Sequence, residues 1–307
     1  MVNKLPPRFT NEEAARKHLE ALQWPDGPVC PHCGVLERSS RISGGRPGLL
    51  FCNACRKQYT VTVGTVFERS KIPLHTWLYA THLLCSSKKG ISSHQLSRML
   101  GVTYKTAWFM AHRIREAMAP AGKPGPMGGE GKIVEVDETY MGDRDGLPKA
   151  KKNLRGVATK RMVVALVERG GELRSFHIKG NMSKKVAREV LFTNVDRQSD
   201  VVTDDHGAYP APAANFAQHS SVNHSAGEYV RGDIHTNTIE GTFSIFKRGM
   251  VGTYQHCGEQ HLQRYLNEFD FRYSNRAKLG IDDACRADLA LKGINGKRLT
   301  YRRSNKA

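Results

Sequence analysis

The spacing of hydrophobic and polar positions changes from one part of this chain to the next. Between residues 91 and 118 the apolar residues recur three or four positions apart, which is the spacing of a helix with one buried face. Residues 133–140, IVEVDETY, and residues 200–203, DVVT, are short runs typical of strands. Strand and helix signals alternate from residue 133 to about residue 285. The alternation predicts an α/β core with a mixed sheet flanked by helices.

Capping residues divide the helical segment into two helices. Ser92 or Ser93 can cap a first helix that runs through Leu100, Gly101 supplies a turn, and Thr103 can cap a second helix. The pattern predicts a helix-turn-helix, whose second helix enters a DNA major groove. A helical hairpin that bridges two domains is the alternative. The polar and basic residues expected on the exposed sides of the second helix are Tyr104, Lys105, His112, Arg113 and Arg115.

Composition divides the chain into five segments. Residues 1–70 hold paired cysteines, and residues 71–120 form the predicted DNA-binding helices. Residues 121–132 are rich in glycine and proline, which indicates a linker. The catalytic core is predicted over residues 133–285, and residues 286–307 form a basic tail that either contacts DNA or is simply solvated.

Two cysteine pairs in the first segment have the spacing of a metal site. Cys30 and Cys33 form one C-x2-C motif, and Cys52 and Cys55 form another after eighteen residues. Four thiolates at this spacing can bind one tetrahedral Zn²⁺, whereas a redox pair is the alternative. His32 lies inside the first motif and is badly placed to bind the same ion. We therefore predict a structural zinc ribbon.

Charge and the absence of apolar segments restrict the class of partner. Lys and Arg number 47 against 29 Asp and Glu, so the formal net charge is +18, and nucleic acid is the commonest partner for such a surplus. The sequence shows no signal peptide, no stretch of membrane-spanning length and no basic amphipathic helix. These features predict a cytoplasmic protein with no membrane partner.

Three acidic residues follow strand or helix signals at separations that suggest one site. Asp137 and Asp204 have 66 residues between them, and Asp204 and Glu240 have 35. Phosphodiester cleavage is assisted by two hard cations, which need carboxylates from separate elements. We therefore expect these three residues to bind Mg²⁺ or Mn²⁺. Lys247 lies two helical turns after Glu240 on the same face, where it could hold a DNA phosphate.

The motifs around these residues resemble the DDE transposases of insertion sequences. The matching runs are DETY at 137–140, TDDHGAY at 203–209, HTNTIEG at 235–241, KRG at 247–249 and HLQRYLNEFDFRYSNR at 261–276. With a zinc ribbon in front, the chain is similar to the insertion-sequence 1595 (ISXO-like) family from about residue 15 to 280. The resemblance implies a ribonuclease-H-like core, a need for Mg²⁺ or Mn²⁺, and binding to double-stranded terminal inverted repeats and target DNA.

The resemblance leaves the third catalytic residue open between two side chains. Members of this family carry either asparagine or glutamate there, and this chain has Asn237 three residues before Glu240 on the same helical face. We prefer Glu240 because the 35-residue separation and the later lysine are counted from it. Asp205 and Glu138 are further alternatives, although neighbours on a strand point to opposite faces, which disfavours Glu138. Three lysines after the first strand could grip DNA or lie in a solvated loop: Lys149, Lys151 and Lys152.

These features together predict a transposase that cuts DNA at the element ends and joins the freed 3′-hydroxyl to target DNA. The reaction brings two DNA ends together, so a homodimer or a higher oligomer is expected. One alternative is a nuclease with the same core that does not rejoin strands. The other is a DNA-binding regulator without catalysis, which the intact acidic positions disfavour.

Overall fold

The structure is a computed structural model that describes residues 5–145 and 159–300. The chain divides into two compact units, one formed by residues 1–119 with 281–307 and the other by residues 120–280. No helix among the described residues is long and apolar enough to cross a membrane. The three lysines of residues 149–152 fall outside the described residues.

The first unit combines helices with a small antiparallel sheet. Its longer helices are α1 (Glu12–Gln23), α2 (Leu74–Ser86), α3 (Ser93–Leu100), α4 (Tyr104–Met118) and, near the end of the chain, α9 (Asp283–Lys292). Its strands are β1 (Ser39–Arg41), β2 (Leu50–Cys52) and β3 (Gln58–Tyr59), paired in that order. The predicted segments 1–70 and 71–120 therefore belong to one unit.

The predicted starts of α3 and α4 and the predicted end of α3 are confirmed. The Ser92 hydroxyl accepts a hydrogen bond from the Gln95 N–H at 3.1 Å and caps α3. Gly101 follows α3 with a φ of 64°, a left-handed conformation that glycine adopts without strain. Thr103 caps α4 through the Thr106 N–H at 3.2 Å. Local capping chemistry was therefore sufficient to locate both helices.

The prediction of exposed basic residues along α4 is wrong for the second half of the helix. His112 and Arg115 are each 1% exposed, and the half-buried Arg113 donates hydrogen bonds to two backbone carbonyls. The reason is that α4 packs against α2, α3 and α9. Tyr104 and Lys105, in the first turn, remain exposed.

The predicted tail from residue 286 is also wrong in its first part. These residues continue α9, which packs mainly against α2 and buries Ala287, Ala290 and Leu291. Arg286 is buried as well, and its Nη1 donates to the Cys85 carbonyl at 2.9 Å. The basic composition concealed a helix with one apolar face, which packing in the first unit stabilises.

The predicted linker at residues 121–132 forms part of the second unit. Met127 is only 2% exposed within the core, and its N–H donates to the Asn194 carbonyl at 2.8 Å. Glycine and proline prevent a regular element here, but they do not prevent one apolar side chain from anchoring the segment.

The second unit is built on a five-stranded mixed sheet in the order β6-β5-β4-β7-β8. Within this sheet only β5 runs antiparallel to the other strands, which confirms the predicted ribonuclease-H-like arrangement. The strands are β4 (Ile133–Asp143), β5 (Lys160–Glu168), β6 (Leu173–Ile178), β7 (Asp200–Asp204) and β8 (Gln218–Val222).

Helices cover both faces of this sheet. One face packs against α5 (Lys184–Asn194) and α6 (Pro210–Ala213), and the other against α7 (Asn237–Gly249) and α8 (Leu262–Ser274). A short hairpin of β9 (Val230–Arg231) and β10 (Ile234–His235) leads into α7.

The central strand β4 presents different chemistry to the two faces. Val134 and Val136 lie in the core on the α5 side. Because side chains alternate along a strand, Glu135 and Asp137 point to the α7 side. The strand therefore carries acidic side chains toward the helix that contains Glu240.

Candidate active site and zinc centre

The four cysteines of the first unit converge on one point. The Cys30 and Cys55 sulfurs are 3.6 Å apart, and the Cys33 and Cys52 sulfurs are 3.7 Å apart. Four thiolates bound tetrahedrally at about 2.3 Å would be separated by roughly 3.8 Å, so these distances fit one Zn²⁺. Sulfurs this far apart are not joined as disulfides. The residues present therefore support the predicted structural zinc.

The two thiols of the second cysteine pair differ in acidity, because burial raises the pKa of Cys55 to about 12 whereas that of Cys52 is lowered. Hydrogen bonds from the backbone N–H groups of Cys55 and Ala54 lower the pKa of Cys52 to about 6, which favours the thiolate that binds metal. Cys30 and Cys52 are buried with Leu50 in a small cluster of their own. Zinc would thus stabilise a part of the chain that has few apolar residues to hold it together.

Two aspartates meet at one edge of the sheet in the second unit. β4 and β7 are parallel neighbours whose last paired residues are Val136 and Thr203. Asp137 and Asp204 come one residue later, where the pairing of the two strands stops; β7 ends at Asp204, whereas β4 continues to Asp143. Oxygens of Asp137, Asp204 and Glu138 all lie within 4.8 Å of one another.

This carboxylate group carries more negative charge than its surroundings can easily solvate. Burial raises the pKa of Asp137 to about 8, and the nearby charges of Asp204 and Glu138 contribute to the rise. Burial also raises the pKa of Asp204 and of Glu138. Closely spaced carboxylates keep protons unless a cation neutralises them, so the donor set fits a divalent metal ion.

Glu138 belongs to this group, contrary to the argument from strand alternation. Its side chain does leave toward the opposite face, where its carboxylate accepts a hydrogen bond from the Tyr209 hydroxyl at 2.5 Å. However, β7 ends at Asp204, and the longer glutamate side chain reaches around the end of that strand. Alternation predicts the direction of the Cβ atom but not the position of the carboxylate.

Glu240 approaches the aspartates from the first turn of α7. Burial mainly causes the raised pKa of Asp137, and the charge of Glu240 makes a minor contribution to it. The Thr236 hydroxyl donates to a Glu240 oxygen at 2.9 Å, and His224 Nε2 lies 3.4 Å from the same oxygen. Glu240 is nevertheless outside the tightest carboxylate group.

The other predicted residues have exposed side chains. Asn237 is the first residue of α7, and Lys247 lies two turns beyond Glu240 on the same helix. Asp205 follows Asp204 directly and is exposed as well. Exposure leaves Asn237 and Lys247 accessible to DNA, and the roles of all three residues stay predictions.

Two residues near the site were not identified from the sequence. One is His224, whose Nε2 lies 3.4 Å from a Glu240 oxygen and whose ring lies 5.1 Å from that of Tyr229. Glu135 is fully buried two residues before Asp137. An acidic residue inside a strand that is covered on both faces is a signal that could have identified Glu135, because a buried charge needs partners.

A carboxylate cluster at the end of a ribonuclease-H-like sheet, in a chain with a four-cysteine ribbon, defines a protein of the nucleic-acid-processing class. The ISXO2-like transposase domain matches residues 128–274, and the transposase zinc-ribbon domain matches residues 10–58. The chain is also similar to an uncharacterized protein in transposable element ISH50 of Halobacterium salinarum. That relative is 29% identical over 281 residues, which span 86% of this chain and 91% of the relative. The chain therefore belongs to the ISXO2-like transposases of insertion sequences.

Proposed function

We propose that this transposase cleaves DNA strands at the ends of its insertion sequence and transfers the freed 3′-hydroxyl to target DNA. One observation carries the proposal: Asp137 and Asp204 directly follow the last paired residues of two adjacent parallel strands and bring carboxylate oxygens within 4.8 Å of each other, and Asp137 points to the side of the sheet that is covered by α7, the helix with Glu240 in its first turn. Three acidic side chains from separate elements are the arrangement that metal-assisted phosphodiester chemistry requires.

Asp137, Asp204 and Glu240 would hold Mg²⁺ or Mn²⁺ through their carboxylate oxygens, and Glu138 is placed to assist them. When bound, such cations supply an activated nucleophile and neutralise charge on the leaving oxygen. The rigid strands fix the two aspartates, so that little reorganisation accompanies the reaction. The exposed Lys247 would hold a DNA phosphate beside them.

Glu240 is the better candidate than Asn237 for the third catalytic residue. Its carboxylate bears a full charge, and the Thr236 hydroxyl and His224 hold it in one orientation. An asparagine amide oxygen is neutral and therefore a weaker ligand for a hard cation. Asn237, exposed at the start of the helix, is better placed to contact DNA.

The first turn of α4 is the proposed DNA-reading surface. Tyr104 is 47% exposed, its ring stacks on His94 at 4.2 Å between centroids, and Lys105 is exposed beside it. The first residues of a recognition helix are the ones that usually reach base edges. Arg115 is buried and the half-buried Arg113 donates hydrogen bonds within the unit, so we assign neither of them to this surface.

At least two copies would act together in the cytoplasm, since two element ends must be joined to one target. A joining assay tests the proposal: labelled terminal-repeat DNA, a supercoiled plasmid and Mg²⁺ or Mn²⁺ are incubated with the protein. We expect labelled DNA covalently linked to plasmid. Cleaved ends without linked product would instead indicate a nuclease, and binding without either product would indicate a regulator.

A further inference from the structure

Glu135 is a buried acid that the catalytic proposal does not use. It lies at the centre of the sheet, where its backbone pairs with Val167 of β5 and Val202 of β7, and it has no exposed surface. A carboxylate in such a place is stabilised only by specific partners. Those partners show what the residue does.

One Glu135 oxygen takes the place of a missing helix cap. Thr236, the residue before α7, makes no side-chain capping bond, although the first N–H groups of a helix normally need one. Glu135 Oε2 instead accepts a hydrogen bond from the Ile239 N–H at 2.9 Å. Ile239 is the third residue of α7, a position that an N-cap side chain usually serves. The sheet thus caps the helix from outside.

The other Glu135 oxygen binds an arginine that holds the segment before α7. Arg169 Nε donates to Glu135 Oε1 at 2.6 Å. The remaining nitrogens of the same guanidinium donate to the Asp233 carbonyl at 2.7 Å and to the His235 carbonyl at 2.9 Å. The pair therefore fixes both the β9–β10 hairpin and the first turn of α7 relative to β4.

Because Glu135 caps the helix, the Thr236 side chain does not serve as the N-cap acceptor and is directed to Glu240 instead. Thr236 is only 1% exposed, and its hydroxyl donates to Glu240 at 2.9 Å. Glu135 and Asp137 lie on the same face of one strand, about 7 Å apart along it. The structure therefore connects Asp137 along β4 to Glu135, and Glu135 through the first turn of α7 to Glu240.

We infer that Glu135 and Arg169 are a positioning pair that sets Glu240 opposite Asp137 and thereby tunes metal affinity. The inference rests on the proposed function, because it takes Glu240 to be a metal ligand. The alternative is that the pair only stabilises the fold. Glu268 offers a matched comparison, since it is equally buried and forms an ion pair with Arg272 within a single helix, α8.

The test compares Glu135→Gln with Glu268→Gln in the full chain. In Glu135→Gln the new amide can satisfy the Ile239 N–H or Arg169 but not both, because only one of its two terminal atoms is an acceptor. Melting temperature, Mn²⁺ affinity by electron paramagnetic resonance, and kcat and KM for DNA cleavage are measured. Both variants should melt earlier. Only Glu135→Gln should lose Mn²⁺ affinity, by about 10–100-fold, with a lower kcat that added Mn²⁺ restores and an unchanged KM for DNA.

Equal Mn²⁺ affinities for Glu135→Gln and the unaltered protein, or equal losses in both glutamine variants, would overturn the inference. Arg169→Lys is the second variant if Glu135→Gln does not fold, and it should lower Mn²⁺ affinity in the same direction. The Glu240→Gln variant distinguishes failure of this inference from failure of the proposed function. A fully active Glu240→Gln would refute the metal-ligand assignment, whereas an inactive Glu240→Gln beside a normal Glu135→Gln and Arg169→Lys would refute only the positioning role.

Discussion

At the scale of single residues, the choice between Glu240 and Asn237 decides the chemistry of the third ligand. Glu240→Gln keeps the size of the side chain and removes its charge. Because charge stabilisation by the metal site contributes several kcal/mol, we expect cleavage to fall on the order of 10³-fold. The cleavage rate of Asn237→Ala should fall by about 10–100-fold or less, as expected for a residue that supports a metal ligand. Cleavage assays on both variants decide it: an active Glu240→Gln with an inactive Asn237→Ala would reverse the assignment.

The raised pKa of Asp137 predicts that metal binding depends on pH. With a pKa of about 8, the carboxyl group holds a proton at neutral pH, and that proton must leave before a cation binds. Mn²⁺ affinity should therefore increase by up to about tenfold per pH unit below this pKa and level off above it. Titrations at several pH values check this, with Asp137→Asn as the control. An affinity that does not change with pH would contradict it.

The raised pKa of Asp137 affects folding stability in the opposite direction from metal affinity. In the metal-free protein, a rise in pH lowers the stability. An acid whose folded-state pKa is raised binds protons more tightly when folded than when unfolded. The contribution of Asp137 to stability is therefore largest in acid and is lost as pH rises from the ordinary carboxyl range to about 8. Bound cations should remove this loss.

The residues of the candidate site differed in how far the sequence could identify them. Asp137 and Asp204 lie in strands that the sequence pattern located, so their convergence could be predicted. Glu138 was disfavoured because alternation says nothing about where a long side chain goes beyond the end of a neighbouring strand. Glu135 depends on Arg169 and Ile239, which are distant in sequence, and no local pattern reveals such partners.

At the scale of elements, the exposed first turn of α4 should be separable from its buried second half. Lys105→Ala should weaken DNA binding and leave the melting temperature unchanged, because the side chain is exposed. Arg115→Ala should instead destabilise the first unit by about 2–5 kcal/mol, the usual range for truncating a large buried side chain. Thermal melting and DNA-binding titrations distinguish them. Weaker DNA binding by a folded Arg115→Ala variant, together with normal binding by Lys105→Ala, would contradict the assignment of the DNA-reading surface to the first turn of α4.

The zinc ribbon should contribute folding energy to the first unit alone. Replacing Cys52 with Ser leaves three thiolates around the site, and binding of structural zinc is coupled directly to folding. We expect the variant to lose about one zinc ion per chain and to unfold residues near the ribbon, with the ribonuclease-H-like core intact. Metal analysis and limited proteolysis measure both effects. Freshly purified unaltered protein without zinc would count against the site.

Elements were predictable where local chemistry determines them. The caps at Ser92 and Thr103 gave the starts of α3 and α4, and both starts are confirmed. The tail and the linker were misjudged because their structure depends on burial against distant segments. In both segments, basic residues, glycine and proline outnumber the few apolar residues that pack in the core, such as Leu291 in the tail and Met127 in the linker.

At the scale of the whole molecule, the net charge of +18 predicts DNA binding that weakens steeply with salt. Each phosphate neutralised by Lys or Arg releases condensed counterions, with a log–log slope of about −0.9 per contact. Affinity for terminal-repeat DNA measured across a salt series should therefore fall linearly on that plot. A flat plot would show that electrostatics is not the main source of affinity.

The most direct test of the account is strand transfer of pre-cleaved element ends by two variants that differ in position by one residue. Asp204→Asn removes a proposed metal ligand, whereas Asp205→Asn makes the same chemical change at the exposed neighbour. In Mg²⁺ or Mn²⁺, the account predicts no joined product from Asp204→Asn, normal DNA binding by both variants, and joining by Asp205→Asn close to that of the unaltered protein. Strand transfer by Asp204→Asn at the unaltered rate would contradict it.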